Sequence, residues 1–295
     1  MHSPFEGMTA EETFNSHQTT LRGLRIRGII ATVALGALGI WGIERGWMWL
    51  YVAGLAGIPV TVFLFWRRVA REVEQLQGIL WQDADVATYR AVLEMGLART
   101  RRRQTRAALE LELAFCDYFD GLDGAALERI QGLTFRGRKN TQRLRCLDLE
   151  ALLFDARGDV ARRDEALGRI REMAAQYRPG TKVATAARDI VRSLELGFTP
   201  PAQWTEGDAR FFREQMVLAD KRVNRAGARM RSDAYEAAHG RTEEALRDLR
   251  ALGEERLVPR YETMRVQLLR RIERQASAAQ AIFPSKSPAK RTEEI

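Results

Sequence analysis

Two apolar stretches near the start of the chain decide its fold. Residues 28–43 read GIIATVALGALGIWGI, and residues 47–66 read WMWLYVAGLAGIPVTVFLFW. Neither stretch contains a charged side chain, and only the tripeptide Glu-Arg-Gly separates them. At ~1.5 Å per residue, a helix of about 20 residues matches the ~30 Å hydrocarbon core of a bilayer. The sequence therefore predicts a two-span transmembrane hairpin over residues 24–68.

The charges around this hairpin predict its orientation. Six arginines flank the two spans: Arg22, Arg25, Arg27, Arg67, Arg68 and Arg71. The turn between the spans holds one arginine and one glutamate. Because basic residues beside a span stay on the cytoplasmic side, both termini are predicted to be cytoplasmic. A signal peptide over residues 24–40 is rejected, since a second span follows it at once.

Small residues recur within the spans at spacings that let helices approach closely in lipid. Thr32 and Gly36 form one such pair, and Ala53 and Gly57 form another. Both pairs support a membrane hairpin, since hydrophobicity offers no attraction between helices in lipid.

The net charge of +8 is concentrated around the hairpin. Residues 22–71 carry seven arginines and one glutamate, whereas residues 72–295 carry 40 basic and 35 acidic side chains. A nucleic-acid-binding protein carries its excess on a folded face, so this distribution argues against nucleic acid as a partner. The 42 arginines against 5 lysines indicate a GC-rich bacterial genome, and with the spans they predict the bacterial inner (plasma) membrane.

The remaining chain predicts an all-α fold class, because it is rich in Ala, Leu, Glu and Arg and lacks alternating β-branched residues. A flexible tail is predicted at residues 1–23, a juxtamembrane helix at 69–83, and a disordered tail at 276–295. Ten further helices are expected at residues 85–98, 104–120, 124–134, 140–156, 159–177, 182–196, 207–230, 231–239, 242–252 and 259–277.

A short motif recurs at the turns between these helices, in which a glycine precedes an Ala-Leu pair. Its three copies are Gly121 with Ala126-Leu127, Gly158 with Ala166-Leu167, and Gly240 with Ala245-Leu246. Glycine permits the positive φ of a tight turn, the alanine permits close helix approach, and the leucine fills the core. Residues 84–275 thereby resemble the tetratricopeptide repeat (TPR) family. The first-helix Trp and Gly of that family are missing, residues 198–207 interrupt the array, and an unrelated helical bundle is the alternative.

The resemblance implies a TPR-like α-solenoid that binds a protein or peptide partner along a concave groove. It implies that six side chains face this groove, although the same positions also suit the core between helices. They are Phe115, Tyr118, Arg145, Asp148, Leu152 and Asp155.

A second candidate site is the sequence RTRRRQTR, which places five guanidinium groups within eight residues. These are Arg99, Arg101, Arg102, Arg103 and Arg106, named here the arginine cluster. The sequence predicts that the cluster binds anionic lipid or an acidic partner, and a solvated connection between helices is the alternative.

The sequence contains no recognised catalytic signature, such as a phosphate-binding loop, a zinc-protease helix or a nucleophile elbow. Cys116 and Cys146 fit no zinc pattern and are expected to be buried apolar side chains. We therefore predict neither enzymatic activity, nor a cofactor, nor a metal. The predicted function is a membrane-anchored scaffold or adaptor at the cytoplasmic face. The alternatives are a structural or assembly subunit of a larger membrane complex and an enzyme with an unrecognised site.

Overall fold

The computed structural model describes residues 3–137 and 140–282, and every regular element within them is helical. The predicted all-α fold class is confirmed for the described residues. The TPR-like arrangement of the helices stays a prediction. The α-helices are α1 Ala10–Glu44, α2 Met48–Trp81, α3 Val86–Arg99, α4 Arg103–Phe119, α5 Asp123–Ile130, α6 Thr141–Ala156, α7 Val160–Ala175, α8 Lys182–Gly197, α9 Glu206–Leu218, α10 Arg222–Ala238, α11 Thr242–Leu252 and α12 Pro259–Ile282. A short 3-10 helix spans Pro201–Gln203.

Helices α1 and α2 are long and apolar enough to cross a membrane. The most apolar part of each helix is only 11% buried within the protein, so neither serves as the core helix of a soluble body. The two helices pack against each other and are joined by a tight turn at Gly46, whose φ is 74°.

Glycines bring α1 and α2 into close contact. A Cβ atom added to Gly54 would lie 2.8 Å from the carbonyl oxygen of Leu35, and one added to Gly42 would lie 2.7 Å from the Cβ of Leu50. Real Cβ atoms essentially never approach that closely, so the hairpin requires glycine at both positions.

The predicted small-residue pairs lie only partly at this contact. Gly57 does, since a Cβ there would lie 3.0 Å from the Leu35 side chain. Gly36 has no heavy atom within 4 Å of its added Cβ, and Ala53 is exposed. Gly36 lies away from this contact because it follows Leu35 directly, and one helical residue rotates the side-chain direction by about 100°.

Residues 3–23 are folded, which corrects the flexible tail predicted over residues 1–23, of which residues 1 and 2 lie outside the described residues. Thr9 and Glu12 form a capping box that starts α1 within that segment. The Phe14 ring is 2% exposed, and the Ser3 backbone N–H donates to the Asp83 carboxylate at 3.0 Å. Apolar burial and this long-range hydrogen bond hold the segment against the end of α2.

The chain divides into two compact units. The first holds residues up to Asp117 together with Gly124–Arg136, and the second holds Tyr118–Asp123 together with the residues from Gly137 onward. The predicted boundary between residues 83 and 84 is therefore not a division of the structure. Helix α3 packs against both α1 and α2, which joins it to the apolar hairpin.

The predicted turn motif has the expected local geometry. Gly121, Gly158 and Gly240 have φ values of 79°, 71° and 90°. The alanines that follow them are at most 1% exposed: Ala126, Ala166 and Ala245. The motif therefore marks helix pairs whose second member packs closely, which is what its glycine and alanine were predicted to do.

The helices predicted in the second unit differ from the structure in three places. Helix α10 runs unbroken through residues 230 and 231, where one predicted helix ended and the next began. The helix expected at residues 207–230 is interrupted, because Ala219 is extended and its carbonyl accepts a hydrogen bond from Arg225 at 3.2 Å. Helix α12 continues to Ile282 into the predicted disordered tail, where alanine-rich sequence favours helix. The rest of that tail, residues 283–295, lies outside the described residues.

The segment 198–207, which interrupts the repeat-like sequence, contributes Trp204 to a small core that α9 and α10 otherwise form. Trp204 is 5% exposed, and its indole packs on the Phe212 ring with 5.1 Å between centroids. The indole N–H donates to the Thr199 carbonyl at 3.0 Å. Trp204 is therefore the buried anchor of a connection whose other residues are half-buried or exposed.

Candidate interaction sites

The six predicted groove residues are divided between the two units. Phe115, in the first unit, is 5% exposed and meets the Trp81 ring edge-on at 5.9 Å between centroids. Tyr118, in the second unit, is 8% exposed. Both rings are buried, which agrees with the alternative that these positions belong to the core between helices. Their aromatic character reflects packing.

The other four predicted groove residues lie on α6. Leu152 packs against the core formed by α6, α7 and α8, and Asp155 is exposed and forms an ion pair with Arg163 at 3.1 Å. Arg145 and Asp148 are half-buried. These four residues thus have three different environments: an apolar core, an exposed ion pair and a half-buried polar region.

Asp148 belongs to a polar cluster inside the second unit. Burial raises the pKa of its carboxyl to about 6, although the nearby Arg231 guanidinium opposes that rise. Arg231 donates to the Ser193 hydroxyl at 2.6 Å, and the Arg260 guanidinium lies 4.0 Å from the centroid of the Tyr118 ring. Because both guanidinium groups are already engaged within the fold, we interpret this cluster as a connection between helices.

The arginine cluster lies at the connection between α3 and α4 in the first unit. All five of its arginines are exposed. Arg99 stacks on the Phe14 ring at 4.6 Å, and Arg103 donates to the Thr134 hydroxyl at 3.3 Å. Within the described part of the chain, none of the five forms an ion pair. Elsewhere many arginines do, including Arg129, Arg171 and Arg265. The cluster is therefore a concentrated positive charge that no carboxylate of the described residues pairs with directly.

The contact between Arg99 and Phe14 fixes the position of the cluster along α1. Phe14 precedes Gly28, the first residue of the apolar run, by 14 helical residues. At ~1.5 Å per residue this separation is about 21 Å along the helix axis. Electrostatic attraction decays over ~8 Å at physiological ionic strength, so the charge of Arg99 is largely screened at the start of the apolar run.

Asp233 on α10 is a buried acid that the sequence did not reveal. It is 4% exposed, and among the described residues its Oδ2 atom has no hydrogen-bond partner. Burial, followed by the charge of Asp248, raises the pKa of this carboxyl to about 7, while Arg229 opposes the rise. No motif marks Asp233, because its environment comes from the packing of α11 against α10.

The raised pKa of Asp233 predicts a pH-dependent stability. An unfolded Asp titrates near pH 3.9, so between about pH 4 and 7 the folded state binds the additional proton and stability falls as pH rises. We expect Asp233→Asn to be more stable than the wild type by about 2 kcal/mol at pH 8, and this gain should shrink towards pH 4. Thermal unfolding of the full chain in detergent at several pH values measures the difference. Asp164→Asn, which alters an exposed side chain, is the control, and a loss of stability in Asp233→Asn at pH 8 would contradict the prediction.

The two cysteines are not activated. Cys116 is fully buried, as predicted, and Cys146 is half-buried. Burial raises the pKa of the Cys146 thiol to about 11, which disfavours the reactive thiolate. Within the described residues, no group of three or more His, Cys, Asp or Glu side chains has an arrangement that would hold a metal ion.

Comparisons with protein-family models, with curated proteins and with solved structures give no match for this chain. Its function must therefore be argued from its own residues.

Proposed function

We propose that this protein is a membrane-anchored adaptor that binds an acidic segment of a partner protein. The hairpin of α1 and α2 holds the helical units at the cytoplasmic face of a bacterial inner membrane. The arginine cluster supplies the binding surface. The observation that carries this proposal is the exposure of five neighbouring arginines without ion-pair partners in the described part of the chain.

The anchor is supported by the exposure of its apolar side chains. Ile30, Val33 and Leu55 are each at least 60% exposed, and Phe63 is 65% exposed. Isolated exposed apolar residues are normal, whereas two adjacent helices covered with them require an apolar solvent. The flanking arginines support cytoplasmic termini.

The anchor is tested by extraction and labelling. We expect the full chain to remain with the membrane after alkaline carbonate washing. A cysteine introduced at Gly46 should be labelled only from the periplasmic side by a membrane-impermeant maleimide, and one introduced at Ser16 only after the membrane is opened. Release of the chain by carbonate would contradict membrane anchoring, and the opposite labelling pattern would contradict the orientation.

The binding surface is tested by reversing charge within the cluster. The variant changes three exposed residues: Arg101→Glu, Arg102→Glu and Arg106→Glu. We expect it to bind a fluorescent ten-glutamate peptide at least tenfold more weakly than the wild type at low salt, with the difference shrinking as salt screens the charges. Fluorescence anisotropy with the detergent-solubilised full chain measures this affinity.

A matched control reverses the same number of charges elsewhere, through Arg210→Glu, Arg270→Glu and Arg271→Glu. It should bind the peptide at least fivefold better than the cluster variant, because the net charge is equal and only the location differs. Equal weakening in both variants would indicate a non-specific charge effect and contradict the site. If the cluster variant instead lost binding only to phosphatidylglycerol vesicles, the partner would be lipid rather than protein.

A further inference from the structure

A groove lies along one side of the hairpin, between the α1 segment that starts the apolar run and the α2 segment that ends it. Its volume is about 390 Å³. The lining residues are Arg25, Gly28, Ile29, Thr32, Val33, Thr61, Val62 and Phe65. Towards the turn, by contrast, Gly42 and Gly54 hold the helices in close contact. The groove is therefore confined to the half of the hairpin nearer the flanking arginines.

The polarity of this lining changes along α1. Arg25 lies at one end, and Val33 lies eight residues further on, which corresponds to about 12 Å along the helix. The side wall is formed by Phe65, whose ring comes within 3.1 Å of a Cβ added to Gly28. An occupant of this groove must therefore be apolar over most of its length, with a polar group near Arg25.

Two hydroxyl groups refine this description. The Thr32 hydroxyl donates to the Gly28 carbonyl at 2.9 Å, so its proton is already used. Among the described residues, the Thr61 hydroxyl makes no hydrogen bond, and Arg25 makes no ion pair. Thr61 lies five residues before Trp66, or about 7 Å deeper in the bilayer if the aromatic ring marks the headgroup level. An unpaired hydroxyl at that depth favours an occupant that carries an acceptor there.

We propose that this groove binds one anionic phospholipid, and this proposal rests on the membrane anchoring proposed above. The phosphate would pair with Arg25, an ester carbonyl would accept from Thr61, and an acyl chain would lie against Ile29, Val33 and Val62. Charge complementarity supports an anionic lipid, because six arginines flank the spans and only two acids, Glu72 and Glu74, follow closely beside them. A zwitterionic lipid would bring its own cation to this positive surface.

Native mass spectrometry of the full chain in mild detergent tests the proposal, with phosphatidylglycerol and phosphatidylcholine of identical acyl chains as probes. We expect one retained phosphatidylglycerol with at least fivefold preference over phosphatidylcholine. Arg25→Gln should lower the phosphatidylglycerol affinity about fivefold, and Thr61→Phe should abolish retention by filling the groove. Thr61→Val, which removes only the hydroxyl, guards against misfolding and should weaken retention measurably.

Two matched controls act outside the groove. Arg45→Gln removes an arginine at the opposite end of the hairpin, and Val52→Phe adds a ring on an exposed face of α2. Both should retain phosphatidylglycerol as the wild type does.

Equal retention of both lipids, or unchanged retention in Arg25→Gln, would overturn the proposal. So would a dimer that Thr61→Phe dissociates, because the occupant would then be a second copy of this chain. Carbonate extraction distinguishes failure of the lipid site from failure of the membrane anchoring. A chain that stays in the membrane but shows no lipid preference contradicts only the lipid site.

Discussion

Gly54→Val is expected to separate α1 from α2, because the added Cβ would lie 2.8 Å from the carbonyl oxygen of Leu35. A backbone atom in a helix cannot rotate away as a flexible side chain can. The helices must therefore move apart, and the contacts of Gly39 and Gly57 with the opposite helix would be lost as well. In lipid these packing contacts are the main attraction between spans, since the hydrophobic effect offers none between them.

Gly36→Val is the matched control, since a Cβ at Gly36 has no neighbour within 4 Å. Spin labels on the exposed residues Ile30 and Val60, in a chain whose two cysteines are replaced by alanine, report the separation of the helices. We expect the distance between labels to increase by about 2 Å or more in Gly54→Val and to stay unchanged in Gly36→Val. An unchanged distance in both variants would show that the helix contact does not depend on glycine.

Asp117→Ala should destabilise the first unit by about 3–5 kcal/mol. The Asp117 side chain is 2% exposed, accepts from Arg129 at 2.6 Å and forms an ion pair with Arg90. Arg129 also binds Glu110 at 2.9 Å, so one carboxylate joins residues of α3, α4 and α5. Its removal would take away the carboxylate that both partly buried guanidinium groups share, and breaking a buried ion pair by removing one partner is costly.

Hydrogen exchange measured peptide by peptide suits this prediction, because a chain with two units need not unfold in one step. Peptides of α4 should exchange at a markedly lower free energy in Asp117→Ala. Glu195→Ala, which breaks the exposed pair with Arg171, should change exchange by less than about 1 kcal/mol. A variant with Asp117→Leu, Arg90→Met and Arg129→Met should recover much of the loss, because apolar residues remove the charges together. Unchanged exchange in Asp117→Ala would contradict the assigned role.

The local structure of this protein could largely be predicted from local sequence. The helix at Thr242–Leu252 has the predicted bounds, and most other helices between residues 85 and 197 agree within a few residues. Gly121 and Gly240 end helices where predicted, because the positive φ of such turns suits glycine. The break at Ala219 was not predicted, since neither proline nor glycine marks it.

The sequence by itself determined the two apolar helices, because length and the absence of charge are properties of consecutive residues. It also determined the all-α class and the exposed arginine cluster, since five arginines on so short a segment cannot all be buried. Only the tertiary structure decided which glycines hold the hairpin, that Phe14 and Ser3 fix the N-terminal segment, and that Asp117 and Asp233 are buried. Burial and pairing depend on residues far apart in the chain, and single-sequence periodicity carries no information about which distant side chains will meet.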